Sequence, residues 1–543
     1  MIERAVAPKR PVDLLNRILE SPRIVKIVQE LPPPVLTRLV RHVGLEDAAE
    51  IVAMATGEQL SRVFDEDLWV GPRPGKDEIF DAGRFILWLE VLFENGLESA
   101  MEKIVRFDED LITLALTRHI RVLDMDALSV HIARRDRGDK TYLVDKVLDG
   151  ALSLEFEGYL VIAKPHCGWD VISTMLIELN QADEAMLDRL LRHCSRISAD
   201  YIEDNGGLYD VLTAEEMLTA DLAGEHQEHR QKDGYVPPAS AVAFLEQARS
   251  QPLAQHVAKK QWHYDTRRYF KSLNTDTAKT AAADTAISDP TINAERQRVQ
   301  ELLQEAEILE SPVTQRQLPS GESHPESMPL ARAMRALREN GSASDDQRLA
   351  ETTYLANVLI AGCPIYGRRF RPMEAAKAVM ATCQLGAEHV TGLCLTTVDD
   401  KDLANLTTLL VNTDMVRLFN CGWRILHERI GMPAARCLAE LMRQVDDNLH
   451  GKRRRYELAV KRLSLNKKIR ANRPWLFVPE IDDLLGEVDN AVLAQLSDLI
   501  SEYPLLPPVL QRPEDIARLP VIRTGEQVAL IKRFLIELTP SAN

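Results

Sequence analysis

The feature that most constrains this chain is a short tandem pattern near its start. Read in twelves, residues 32–43, 44–55 and 56–67 align Leu36 with Ala48 and Leu60, Leu39 with Ile51 and Val63, and Val40 with Val52 and Phe64. Each twelve opens on helix-start chemistry: Pro32-Pro33-Pro34, then Leu45-Glu46-Asp47, then Thr56 with Gln59 three residues on as a capping box. Helices this short are not stable alone in water, because too few hydrogen bonds follow the costly first turn. The repeated apolar stripe therefore has to be buried by leaning one helix on the next. The expectation for residues 1–140 is a superhelix of short stacked helices.

Longer amphipathic patterns follow. Asp81–Asn95 puts Phe85, Ile86, Leu89, Leu92 and Phe93 on one face and stops at Asn95-Gly96, and residues 98–133 continue in the same helical style. The pattern changes at Leu152–Ala163, which alternates apolar and polar residues around Glu157-Gly158, so one small β-hairpin is expected near 150–165 and no other strand. Helical spacing returns over Trp169–Leu179 and Ala185–Ile202, and Thr213 with Glu216 caps the next helix. Residues 272–328 are rich in Thr, Ala, Ser, Asp, Glu and Pro, with one helical island at Glu295–Leu309, and read as a flexible linker carrying a helix. Helical patterns resume from Pro329 and close with Arg523–Leu538. The fold class is mainly α, divided as 1–140, a mixed but mainly helical 141–271, the linker 272–328, and a helical 329–543.

Composition narrows the function classes. At 543 residues with 45% hydrophobic and 27% charged residues, the chain has the make-up of an ordinary globular protein. No apolar stretch reaches the roughly 18 residues needed to cross a bilayer. Glu3, Lys9, Arg10 and Asp13 interrupt any apolar leader, so a cytoplasmic location is expected. The 7 cysteines include no Cys-x-x-Cys and read as buried thiols in a reducing compartment. A net charge of -16 disfavours indiscriminate attraction to phosphate backbones or anionic lipid, while leaving room for a local basic surface.

The stacked pattern, with Leu31-Pro32 and Gly44-Leu45-Glu46-Asp47-Ala48-Ala49-Glu50-Ile51, resembles the cytosolic N-terminal domain of MgtE-type magnesium transporters over about residues 20–120. That resemblance implies a superhelical architecture rather than an activity. Lys164-Pro165-His166-Cys167-Gly168-Trp169-Asp170 and Tyr201-Ile202-Glu203-Asp204-Asn205-Gly206-Gly207-Leu208-Tyr209 resemble an uncharacterised bacterial family classed as a domain of unknown function, with a match expected over nearly the full length. It implies no activity.

Three clusters carry candidate chemistry. His166-Cys167 at the hairpin-to-helix junction, with His193-Cys194 on a later helix, offers two imidazoles and two thiolates, a donor set that zinc accepts; adjacent His-Cys pairs lack the usual ligand gap, and a Pro-led turn with buried thiols is the plainer reading. Glu225-His226-Gln227-Glu228-His229 sets two histidines three apart on one helical face, without being the His-Glu-x-x-His of zinc proteases; a solvated charged helix end explains it as well. Gly451–Pro474 carries Lys452, Arg453, Arg454, Arg455, Lys461, Arg462, Lys467, Lys468, Arg470 and Arg473 against Glu457 alone. Such a run can meet nucleic acid or an acidic partner, with Tyr456 and Trp475 as stacking surface, or it can face the chain's own acidic segments.

No phosphate-binding loop, nucleophile elbow or dinucleotide fingerprint is present, so no catalytic residue and no cofactor are assigned. The favoured expectation is a non-enzymatic helical scaffold with an unidentified protein partner. The alternative is a metal-dependent or hydrolytic enzyme built around His166, Cys167, Asp170 and His193, and a third is nucleic-acid binding through 452–473.

Overall fold

A computed structural model describes residues 11–126, 152–164, 168–202, 213–232, 234–258, 266–267, 269–270, 290–306, 308, 328–339, 344–396, 399–449, 451–512 and 519–539. The chain is mainly α, and it forms two compact units that interleave in sequence. The first takes Met1–Val70, Glu78–His229 and Ala283–Gln317; the second takes Gly71–Asp77, Arg230–Ala282 and Leu318–Asn543.

In the first unit, helices α1 (Pro11–Leu19), α2 (Ile24–Glu30), α3 (Pro33–Val43), α4 (Ala49–Met54) and α5 (Gly57–Asp67) are short, as the twelves require. Each twelve holds one helix. All nine stripe residues are buried, from Leu36 and Leu39 through Ile51 and Val52 to Val63 and Phe64. Packing alternates along the chain, α1 on α3, α3 on α5 and α2 on α4, with α4 on α6 (Ala82–Glu94). Two polar residues pin the stack. Gln59 completes the Thr56 capping box through Oε1, and its Nε2 donates at 2.8 Å to the carbonyls of Val28 and Leu31. Asp67, at the end of α5, accepts from Arg84 Nε and Trp88 Nε1, both at 2.8 Å, and from Arg41. Burial works against its charged form, yet these partners hold the Asp67 carboxyl below the usual range.

One expectation needs correction. After α7 (Leu97–Ile104) and α8 (Glu109–His119), the chain does not stay helical: β3 (Ile120–Asp124) pairs antiparallel with β5 (Tyr159–Ala163), which pairs with β4 (Ser153–Phe156), giving the order β3-β5-β4. The expected hairpin is thus two strands of a three-stranded sheet, with Gly158 at φ +79° in its turn. Ile120 and Val122 are buried while Arg121 is exposed, an alternation too short to stand out beside a helical pattern. Short ribbons add β1 (Trp69–Val70) with β2 (Ile79–Phe80), and β6 (Pro364–Ile365) with β7 (Arg368–Arg369). The expected helical island is present at Pro290–Glu305, where it buries Val299, Leu302 and Leu303 in the first unit's core. The stretches of 272–328 on either side of it lie outside the described residues.

The second unit is built on a tight crossing. Helix Pro372–Thr391 packs on Met415–Leu426, and Gly386 and Gly422 meet there so closely that a Cβ on either would lie 1.9 Å from a carbonyl oxygen of the other helix. Met415–Leu426 continues through a π-helical turn, His427–Gly431, into Met432–Asn448. Lys452–Arg470 lies against that last helix, burying Leu458 and Leu465. No helix among the described residues is long and apolar enough to cross a membrane.

Candidate functional site

Of the four proposed zinc donors, His166 and Cys167 lie outside the described residues. His193 is partly exposed, with Nδ1 3.9 Å from Asp110, whereas the next residue, Cys194, turns inward toward the Thr113 carbonyl at 4.0 Å. Burial pushes the Cys194 thiol up to about 12, so it stays protonated at neutral pH and is a poor metal ligand in that form. Among the described residues no group of three or more His, Cys, Asp or Glu is arranged to hold a metal ion.

The histidines of Glu225–His229 are placed more tellingly. Helix Ala214–Lys232 presents His226 and His229, three apart, to the end of α5. Asp65 answers both: Oδ1 is 2.9 Å from His226 Nδ1, and Oδ2 is 3.0 Å from His229 Nδ1. Glu78, just before β2, reaches His226 Nε2 at 2.8 Å. A carboxylate only accepts, so both ring nitrogens of His226 must donate, and the ring is an imidazolium. It stacks flat on Trp69, with centroids 4.6 Å apart and planes 8° apart, where a cation gains from the indole face. Burial alone would depress this histidine, but Asp65 and Glu78 outweigh it and raise its pKa above the ordinary value. His229 is held differently. Its Nδ1 donates to Asp65, and the ring borders a cavity of about 720 Å³ lined also by Ser61, Arg62, Asp65, Arg106 and His226. This arrangement can orient a hydrogen bond or accept a proton from a small polar molecule.

A pH dependence follows. Because the folded-state pKa of His226 is raised, its contribution is complete below the unfolded value of about 6.5 and is lost as pH climbs through the folded value. Urea midpoints of the first unit should therefore fall as pH rises above about 6.5, and Asp65→Asn combined with Glu78→Gln should flatten that slope. An unchanged slope in the double variant would remove the charge pair from the account.

The basic helix Lys452–Arg470 has two faces. On one, Arg454 is 3.8 Å from Glu487, Lys461 is 2.9 Å from Asp483, Arg462 is 3.5 Å from Asp446, and Lys468 pairs with Glu480. Arg455 donates to the Leu449 carbonyl. These cations serve the fold. At 100° per residue, Lys452, Arg453, Tyr456, Val460, Leu463, Lys467 and Arg470 fall within about 60° of one line on the other face. That line is exposed, with Tyr456, Val460 and Leu463 at 73%, 47% and 68%. Arg453 is engaged only by Glu457 on its own helix, at 3.2 Å, and Lys452, Lys467 and Arg470 have no ion pair among the described residues. The charge run alone hid this apolar centre, although its i, i+4, i+7 spacing is plain in the sequence. Asp65, Glu78 and Trp69 had no such signal, being some 150 residues from the histidines they hold.

The class that fold and surface define is a helical protein with one aromatic-histidine cavity and one basic-apolar helix face among its described features. Residues 2–205 match the model of a family of unknown function, DUF6178. That match covers α1–α8 and the three-stranded sheet and stops before His226 and the basic helix, well short of the near full-length correspondence expected. No curated protein and no solved structure matches the chain, and the resemblance to the MgtE N-terminal domain is not supported. Short apolar stripes at helical spacing, which prompted that resemblance, recur wherever small helices stack.

Proposed function

We propose that this is a non-enzymatic interaction protein, and that the outward face of Lys452–Arg470 docks an amphipathic helix whose apolar stripe is flanked by Asp and Glu. The observation that carries the reading is the exposed line Tyr456, Val460 and Leu463 set between Arg453 and Lys467. From Arg453 to Arg470 it runs about 26 Å, the length of an ordinary partner helix. Charge complementarity chooses an acidic partner. The aliphatic centre favours a protein helix over nucleic acid, since phosphates would engage the cations and leave Val460 and Leu463 without a role. Helix-in-groove recognition uses the same i, i+4, i+7 anchors. Within the first unit, the alternating packing of α1–α6 supports the stacked-helix scaffold part of this reading.

The test uses the full chain and a synthetic 18-residue helix with leucines on one stripe and glutamates on its flanks. Saturable binding that weakens about tenfold or more in Leu463→Ser, and falls with salt, is the expected result. Binding unaffected by Leu463→Ser and Val460→Ser would overturn the reading. So would a stronger response to duplex DNA or phosphatidylserine vesicles that Lys452→Gln and Lys467→Gln abolish while the serine variants do not.

A further inference from the structure

A second cavity, of about 690 Å³ in the second unit, sits at the start of helix Gly525–Leu538. Its charged lining is Arg512, Arg523 and Arg533 against Glu526 alone, a net +2 inside a chain of -16. Among the described residues none of the three guanidinium groups has an ion pair. Two of the helix's own terminal donors are already used: Gly525 N–H goes to Glu388 and Gln527 N–H to Thr524 Oγ1. Anion affinity there therefore rests on the arginines.

The second, independent observation is Gln384, in the middle of helix Pro372–Thr391. It lines the same cavity and is 1% exposed. Its Nε2 donates to the Arg523 carbonyl at 3.3 Å, which fixes the orientation of the amide. Its Oε1 is then buried with no hydrogen-bond partner among the described residues. A buried acceptor left this way is costly, and such groups in folded proteins call for an occupant.

We infer that this cavity binds a small phosphate ester that also carries a hydroxyl group. The arginines match a phosphate dianion in charge and in fork geometry, and Gln384 Oε1 accepts from the hydroxyl. A ligand with only the anion would satisfy half of the site. This inference is independent of the docking face on Lys452–Arg470.

Glycerol 3-phosphate and methyl phosphate separate the two halves, since only the first brings hydroxyl donors. In calorimetry with the full chain, glycerol 3-phosphate should bind saturably and about tenfold more tightly than methyl phosphate. Arg533→Ala, on an exposed position, should weaken both esters by about tenfold or more, and Gln384→Met should erase the preference between them. A thermal melt of each variant checks folding; should Gln384→Met fail to fold, Arg523→Gln with the same pair of probes replaces it, with loss of both affinities expected. Three results would overturn the inference: no saturable binding of either ester at 10 mM or below (roughly the weak end of specific recognition), affinity unchanged in Arg533→Ala or Arg523→Gln, or the glycerol 3-phosphate preference intact in a folded Gln384→Met.

Discussion

Gly422→Ala and Gly386→Ala should each destabilise the second unit by about 3 kcal/mol or more, at or beyond the upper end of ordinary overpacking. The cause is backbone meeting backbone. A Cβ at position 386 would lie 1.9 Å from the Leu418 carbonyl oxygen, and one at 422 would lie 1.9 Å from that of Thr382. No rotamer change relieves either clash, so the two helices must separate and loosen the packing of Phe419 and Trp423 against the unit's core. Gly431→Ala is the control, because its Cβ would meet nothing nearer than 3.6 Å. Urea unfolding followed by circular dichroism should show a clear drop for the first two variants and little for the third. Midpoints equal to the parent at 386 and 422 would mean the crossing is looser than described.

Glu351→Ala should cost about 3–5 kcal/mol, the usual loss when one member of a buried ion pair is removed. Glu351 is fully buried, with one oxygen 2.5 Å from Arg348 Nη1 and the other accepting from Met415 N–H at 2.8 Å. Arg348 Nε donates in turn to the Leu410 carbonyl, so one pair ties helix Ser344–Gly362 to the end of Asp400–Asn412 and the start of Met415–Leu426. Burial raises the Glu351 carboxyl pKa, against the Met415 amide and Arg348. Replacing both, Arg348→Met with Glu351→Leu, should recover much of the loss, because no charge is then stranded. If the single and double variants unfold at the same urea concentration, the penalty lies in packing and not in the uncompensated guanidinium.

What the amino acids announced and what they concealed divide along a physical line. Helices whose neighbours are close in sequence were legible: the Thr56-Gln59 cap begins a helix where expected, the closing pattern Arg523–Leu538 is the helix Gly525–Leu538, and the stripe Leu36 to Phe64 is buried throughout. The hairpin at Gly158 was legible for the same local reason. Its third strand was not, since Ile120–Asp124 earns its strand geometry from a partner some forty residues later. The helix at Pro290–Glu305 was legible as a helical island, but its place in a core was not, because its few apolar residues, Val299, Leu302 and Leu303, are enough only when a core is already there to receive them. Among the sites, basic charge was visible at once, but four of its ten cations pair with Asp446, Glu480, Asp483 and Glu487. His226 and Gln384 are informative only through partners that one chain's order of residues does not disclose.

The interleaving of the two units bears on how such a chain is made and altered. A ribosome that has released residue 229 has supplied most of the first unit but not the helix around Leu302, while Gly71–Asp77 has long been waiting for a second unit still to be synthesised. No single break in the coding region separates two whole folding bodies, so a deletion that stops at 271 removes a core helix from the half it was meant to preserve. Any single cut divides at least one of the two bodies, and a cut between residues 78 and 317 divides both, which ties their inheritance together.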